Sequence, residues 1–189
     1  MNFDLAATLR RLKPQRKAGS IEARPHQLLP WVEQASPVGG PLLLDTTVYI
    51  DVLHGKTPLA VDLLLQSSIT YHSAVAVSEL THAFGRLDPA HPDTKSALAL
   101  IAEVIDNDIP AHRLFAPDVE TFAAAGAVAG LVCRMRNYPR NQGLERKALN
   151  DALIYLQARK LGATLLTRNV TDFDLLNQIE PQGRILLYP

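Results

Sequence analysis

Cysteine is nearly absent from this sequence. Cys133 is the only one among 189 residues, so no disulfide can form within the chain and no cysteine-rich zinc site can be assembled. Net charge is absent as well, since 19 lysines and arginines face 19 aspartates and glutamates. That balance excludes a histone-like or polybasic binder, whose affinity comes from bulk positive charge. Long apolar runs are also missing. The longest, Phe122 to Cys133, has twelve residues, against the roughly 20 that a membrane-spanning helix needs. The opening stretch MNFDLAATLRRLKPQRK holds no apolar core of about 7–15 residues, so it supports no secretory signal. A cytoplasmic protein with no membrane attachment is the expectation. What is present is globular: 47% hydrophobic and 20% charged residues are enough to bury one sizeable core.

Charge becomes informative when the chain is split. Residues 1–40 carry six basic side chains (Arg10, Arg11, Lys13, Arg16, Lys17, Arg24) and three acids (Asp4, Glu22, Glu33), a net of +3, which leaves −3 for residues 41–189. The same stretch holds Pro14, Pro25, Pro30 and Pro37. Leu5, Leu9 and Leu12 at helical spacing predict a short amphipathic helix over Asn2–Leu12, followed by an extended, proline-interrupted strap. Residues 1–40 therefore read as a basic N-terminal extension. It either packs on its own domain or touches a partner or nucleic acid.

From Pro41 onward, strand and helix alternate. Leu42–Leu44 reads as a buried strand ending at Asp45. Helices are expected at Thr57–Gln66, Ala74–Arg86, His91–Ile105, Asp118–Arg134, Leu144–Leu161 and Thr171–Gln178, with Asp118 a good N-cap. Strands are expected at Ser68–His72, Arg113–Ala116, Ala163–Thr167 and Arg184–Leu187. Such alternation builds right-handed crossovers and a mostly parallel sheet with helices on both faces. Sheets of that kind bind ligands beyond the carboxyl ends of their strands.

Four acids occupy telling positions. Asp45 ends the first strand, where a capping aspartate would also stand. Glu79 lies in a helix among Val75, Val77, Leu80 and Phe84. Asp151 interrupts the apolar stripe of Ala148, Ile154, Tyr155 and Ala158; a buried carboxylate there needs a pairing arginine such as Arg146, or a cation. Asp172 follows the strand Ala163–Thr167. Carboxylates gathered from four elements, with no thiolate nearby, suit Mg²⁺ or Mn²⁺ and phosphoryl chemistry. A haloacid-dehalogenase-like phosphatase would want a second acid two residues after Asp45, and Thr47 stands there.

Leu43-Leu-Asp45-Thr-Thr-Val-Tyr-Ile-Asp51, Ser73-Ala-Val-Ala-Val-Ser-Glu79-Leu80, Asn150-Asp151-Ala-Leu-Ile and Leu166-Thr167-Arg-Asn-Val-Thr-Asp172-Phe resemble, in order and spacing, the four motifs of PIN-domain ribonucleases. Their order and spacing also resemble those of the VapC-type toxins of bacterial toxin–antitoxin pairs, and the resemblance covers about residues 41–189. It implies a PIN-like three-layer α/β fold, a mostly parallel five-stranded sheet flanked by helices, and a nuclease domain at 41–189. It also implies a Mg²⁺- or Mn²⁺-dependent endoribonuclease. Asp45, Glu79 and Asp151 match the family's metal-binding acids, Thr167 its fourth-motif hydroxyl, and Asp172 the fourth acid, with Asn169 the alternative. Asp51 matches a family residue with a structural role. An RNA substrate, a cognate antitoxin protein and a homodimer are the partners expected. The family's chains usually begin just before the first acid, whereas about 40 residues precede it here. A PIN-like module that binds or assembles without catalysis is the alternative.

Arg134, Arg136, Arg140, Arg146 and Lys147 surround Tyr138 just before the Asp151 helix and are candidates for holding RNA phosphates, with Tyr138 stacking on a base. The six histidines show no metal-ligand spacing; His72 and His82 are the candidates for a catalytic base. Gly126 and Gly130 read as a close helix contact, since no strand precedes them to make a phosphate loop.

Overall fold

Three consecutive leucines, all buried, make β1 (Leu42–Leu44) the middle strand of a five-stranded sheet. A strand covered on both faces has no solvent side to mark with polar residues, which is why its sequence shows no alternation. The computed structural model describes residues 4–34, 39–139 and 143–189. Strand order is β3-β2-β1-β4-β5, with β2 at Thr70–Ser73, β3 at Leu114–Phe115, β4 at Thr164–Thr167 and β5 at Arg184–Leu187. Every pairing is parallel. Leu43 lies opposite Tyr71 on one side and Leu165 on the other, so the carboxyl ends of β1, β2 and β4 open onto the same edge.

The helices are α1 (Leu5–Leu12), α2 (Thr46–Leu53), α3 (Leu59–Ser67), α4 (Ala74–Arg86), α5 (Thr94–Asp108), α6 (Val119–Met135), α7 (Leu144–Lys160) and α8 (Val170–Ile179). Asp118 caps α6 by accepting from the Thr121 amide at 3.0 Å. Most boundaries fall within three residues of expectation. One helix, α2, has no counterpart in the sequence reading. Its residues, TTVYIDVL, are rich in β-branched side chains that favour strands. The Asp45 cap and the burial of Val48 and Tyr49 override that preference. Helix α7 runs through the centre of the protein: Ala152, Leu153, Ile154, Tyr155 and Leu156 are buried in succession, so it is covered all round.

Two local readings change. The strap after α1 is not simply extended, because 3₁₀ turns form at Pro14–Arg16, His26–Leu28 and Val32–Gln34. Its prolines pre-set the φ such turns need. Gly126 and Gly130 do not make a close helix contact; both are exposed, and a methyl group at either would meet nothing within 4 Å.

The N-terminal segment shares the main core, with Leu12, Leu29 and Trp31 buried in it. Trp31 bridges to Leu187 beside the edge strand β5, and the Leu187 amide donates to the Pro30 carbonyl at 2.9 Å. A paired edge is closed to other chains along that stretch. Further along, Arg24 grips the fully buried Asp174 carboxylate of α8 through both its backbone amide (2.7 Å) and its Nε (2.5 Å).

Candidate active site

Asp45 leaves β1 and caps α2, so strand and helix together fix its carboxyl at the carboxyl edge of the sheet. A single oxygen, Oδ2, accepts from Thr47 Oγ1 and Thr167 Oγ1, both at 2.7 Å, and from the Thr47 amide at 3.4 Å. None of these three bonds is made to Oδ1. Thr167 ends β4, and its hydroxyl accepts from the Asn169 amide at 2.9 Å, so the oxygen has one proton to give and gives it to Asp45. Burial is the largest influence on Asp45 and raises its pKa; the two threonine hydroxyls oppose this, and the charge of Glu79 adds to it.

Asp151 is buried on α7, and its one donor, Asn169 Nδ2, is as far as 3.4 Å from Oδ2. Burial first, then the charges of Asp45, Asp172 and Glu79, hold its pKa well above the usual carboxylate range, with Lys147 pulling the other way. Arg146, the alternative partner, makes no ion pair with it. Glu79 on α4 accepts from Thr46 Oγ1 and from Asn150 Nδ2, the latter at 2.8 Å. Asp172, in the first turn of α8, accepts from Lys147 Nζ at 2.6 Å and from the Tyr138 hydroxyl at 3.4 Å. Lys147 is thereby raised: its burial works against the charge, but the Asp172 bond and the nearby carboxylates outweigh it.

Four carboxylates from α2's cap, α4, α7 and α8 thus act electrostatically on one another across this edge. They are not gathered onto one point. Among the described residues no three His, Cys, Asp or Glu side chains are arranged to hold a metal ion. Protein donors engage Glu79 and Asp172, while Asp151 has only the long contact from Asn169 among the described residues. The donor set itself is all hard oxygen, which fits Mg²⁺ or Mn²⁺ rather than zinc, and the excess negative charge is what such a cation would relieve.

Two hollows adjoin the carboxylates. A narrow one of about 40 Å³ is lined by Tyr138, Lys147, Asp151 and Asp172. A wider groove of about 540 Å³ has Thr46, Glu79, His82, Arg146, Lys147 and Asn150 on its walls. Lys147 stands between them, one helical turn from Asp151.

Of the other sequence candidates, Arg146 lines the wide groove. Arg134 donates to the Pro14 and Lys17 carbonyls at 2.8 and 2.7 Å, and Arg136 to the Ile21 carbonyl at 3.4 Å, so both hold the strap. Arg140 lies outside the described residues. His72 is buried, accepts or donates at Nδ1 with the Tyr49 hydroxyl at 2.7 Å, and among the described residues has no partner at Nε2. Burial, then the Arg113 charge, lowers its pKa to about 4, which fits a core histidine better than a base. Asp51 is structural: it accepts from Arg168 Nε at 2.7 Å and the Tyr188 hydroxyl at 2.9 Å. The sequence reading gave no role to Thr46 or Asn150, which hold Glu79. Each is the immediate neighbour of a motif acid, and that adjacency was the available signal.

Two solved structures share this architecture. VapBC2 from Rickettsia felis, bound to a DNA fragment from their promoter, aligns with a TM-score of 0.53 at 13% identity, over 79% of this chain and 99% of that one. FitAcB from Neisseria gonorrhoeae aligns at 0.51 and 23% identity, over 78% and 97%. The fold is PIN-like. No family model and no curated protein sequence matches the chain. The PIN-like sheet order accounts for the placement of Asp45 and Thr167: neighbouring strands β1 and β4 end side by side, which sets the two residues in hydrogen-bond contact. Among the described residues no helix of this PIN-like chain is long and apolar enough to cross a membrane.

Proposed function

We propose that the chain is a Mg²⁺- or Mn²⁺-dependent endoribonuclease that hydrolyses RNA phosphodiester bonds, the toxin of a type II toxin–antitoxin pair. The observation that carries this reading is the pair Asp45 and Asp151. Both are buried, they come from different elements, and the charge of Asp45 is, after burial, a cause that raises Asp151. A buried like-charge pair is costly, and a fold keeps one where a cation or a reaction uses it.

Asp45, Glu79 and Asp151 would hold the ion, with Asp172 or Asn169 in the fourth position. A bound Mg²⁺ or Mn²⁺ supplies an acidified water and neutralises charge on the leaving oxygen. Thr47 and Thr167 fix Oδ2 of Asp45, so its second oxygen keeps one direction. Arg146 and Lys147 on the groove walls attract the phosphates that flank the cut. Asp172, released from Lys147 when a phosphate takes that ammonium, becomes free to turn inward. Single-stranded RNA suits a cleft at a sheet edge, where a rigid duplex would be held off.

A cognate antitoxin would silence the site. The apolar groove beside Glu79, lined by Ile50, Leu53, Leu80, Leu100 and Ile101, suits an apolar segment of such a partner. VapBC2 is itself a complex bound to promoter DNA. A homodimer completes the assembly expected.

Cleavage of a mixed single-stranded RNA pool, with Mn²⁺ and with EDTA, tests the reading. Asp45→Asn keeps the shape but removes a ligand charge, and should cost at least about 100-fold in rate, given several kcal/mol of charge stabilisation at tenfold per 1.36 kcal/mol. Unchanged cleavage by that variant, or full activity in excess EDTA, overturns it. The second reading, a PIN-like module that binds or assembles without catalysis, is favoured by the engagement of Glu79 and Asp172 with protein donors. It predicts no metal-dependent cleavage at all.

A further inference from the structure

We propose that Lys13, Arg16 and Lys17 of the N-terminal segment, with Arg134 of α6, form a docking track for the phosphates of single-stranded RNA. The track leads along α8 toward Asp172. This rests on the ribonuclease reading above and adds a binding surface outside the acidic site.

The first support is charge without cancellation. Half of the six basic residues of the segment meet a carboxylate: Arg11 pairs with Glu180, Arg24 with Asp174, and Arg10 weakly with Asp4 at 3.8 Å. Lys13, Arg16, Lys17 and Arg134 meet none among the described residues. Lys17 Nζ donates to the Ile179 carbonyl at 2.8 Å, and Arg134 donates to the carbonyls of Pro14 and Lys17. Carbonyl oxygens orient a cation but leave its charge intact. Because Arg134 is seated on the Pro14–Arg16 turn, these cations share one patch. Leu12 beside it is fully buried, so the patch offers an apolar partner little to hold.

The second support is direction. The segment follows α8 from its last turn back toward its first: Lys17 sits at Ile179, the Glu22 carbonyl accepts from Gln178, and Arg24 holds Asp174 and Asn177. Helix α8 begins beside Asp172, and seven residues of helix span about 10 Å. A strand lying on Lys13–Lys17 therefore runs directly toward the carboxylates, passing Arg136 and Tyr138 at the end of α6.

The third support is Lys13 itself. It ends α1 in the left-handed region, at φ 48° and ψ 51°. Glycine or asparagine usually takes this position because side chains strain it. A lysine there gives up conformational ease for a charge.

That strain supplies a clean test. Lys13→Gly relieves the backbone and removes the charge, so it should melt no lower than wild type while binding RNA more weakly. Binding of a short labelled mixed-sequence RNA is measured by fluorescence anisotropy, in EDTA, on the full chain, between about 50 and 200 mM salt. Each lost phosphate contact lowers the log–log salt slope by about 0.7 for single strands. Lys13→Gly with Arg16→Gln should thus flatten it by about 1.4 and weaken Kd on the order of tenfold at the low-salt end. Lys95→Gln on α5 is the control and should change neither.

An unchanged slope in the double variant overturns the track, as does an equal change in the control. Wild-type cleavage of RNA alongside an unaffected double variant sinks the track alone and leaves the nuclease reading standing. Strap-dependent binding without metal-dependent cleavage does the reverse. Binding to poly-glutamate and not to RNA would assign the patch to an acidic protein and overturn the proposal.

Discussion

Replacing Asp151 with asparagine should make the metal-free protein more stable. The carboxyl is buried and raised, first by desolvation and then by three other carboxylates, and its single donor is 3.4 Å away. Asparagine keeps the shape and an acceptor for Asn169 while discarding the charge. Relief of one poorly satisfied buried polar group is worth about 1–3 kcal/mol, more when it is charged. In a chain of this size each kcal/mol moves the melting midpoint by roughly 2–4 °C. The sign follows from proton linkage: a carboxyl raised in the folded state holds its proton more tightly there than when unfolded. Wild type therefore loses stability as pH rises from the ordinary value of 3.8 through the raised one. The variant escapes that loss. The gap should widen as pH rises above 3.8 and close as pH falls toward it. Mn²⁺ should reverse the order, because a ligand at about 100 times its Kd adds about 2.7 kcal/mol to the folded state that binds it. Urea titrations in EDTA and in Mn²⁺, at neutral and acid pH, read all of this. A variant less stable than wild type in EDTA at neutral pH would refute the reasoning.

Gly183→Ala should destabilise the protein by at least about 1–3 kcal/mol, the usual cost of overpacking, because its new methyl would lie 2.4 Å from Cζ and Oη of the buried Tyr155; a denaturation midpoint equal to wild type would contradict the close approach. His72→Leu should flatten the acid limb of the stability curve. Histidine held at about 4 against 6.5 binds fewer protons folded than unfolded, so stability rises with pH across that window, by up to about 3 kcal/mol at 1.36 kcal/mol per unit; a pH–stability curve still as steep in the variant would count against a neutral core histidine.

Much of the fold was legible because parallel, buried strands and amphipathic helices leave opposite marks. Arg184–Leu187 reads directly as the last strand, and Asp118 as a cap, because both signals are local. Helix α2 escaped because its residues favour strands and only tertiary packing makes them helical. At the site, the four acids stood out as charges in apolar surroundings. Their partners did not, since nothing in a sequence says that Thr46 will meet Glu79 across 33 positions. Arg134 and Arg136 illustrate the same limit. Nothing in the basic run before the Asp151 helix says that both guanidiniums will also reach carbonyls of a segment more than a hundred residues earlier.

The clasp between Arg24 and Asp174 also sets a timetable for synthesis. The two residues are 150 positions apart, and Arg11 with Glu180 are 169 apart. At about 5–20 residues per second, Arg24 is made roughly 8–30 s before Asp174. The Trp31–Leu187 bridge cannot form during that interval, because β5 does not yet exist. The contacts of Arg11, Arg24 and Trp31 with α8 and β5 are therefore completed well after those three residues are made. A ribosome stalled before residue 174 would carry Asp45, Glu79 and Asp151 without a complete α8 and without β5, leaving the acidic edge unfinished at that point.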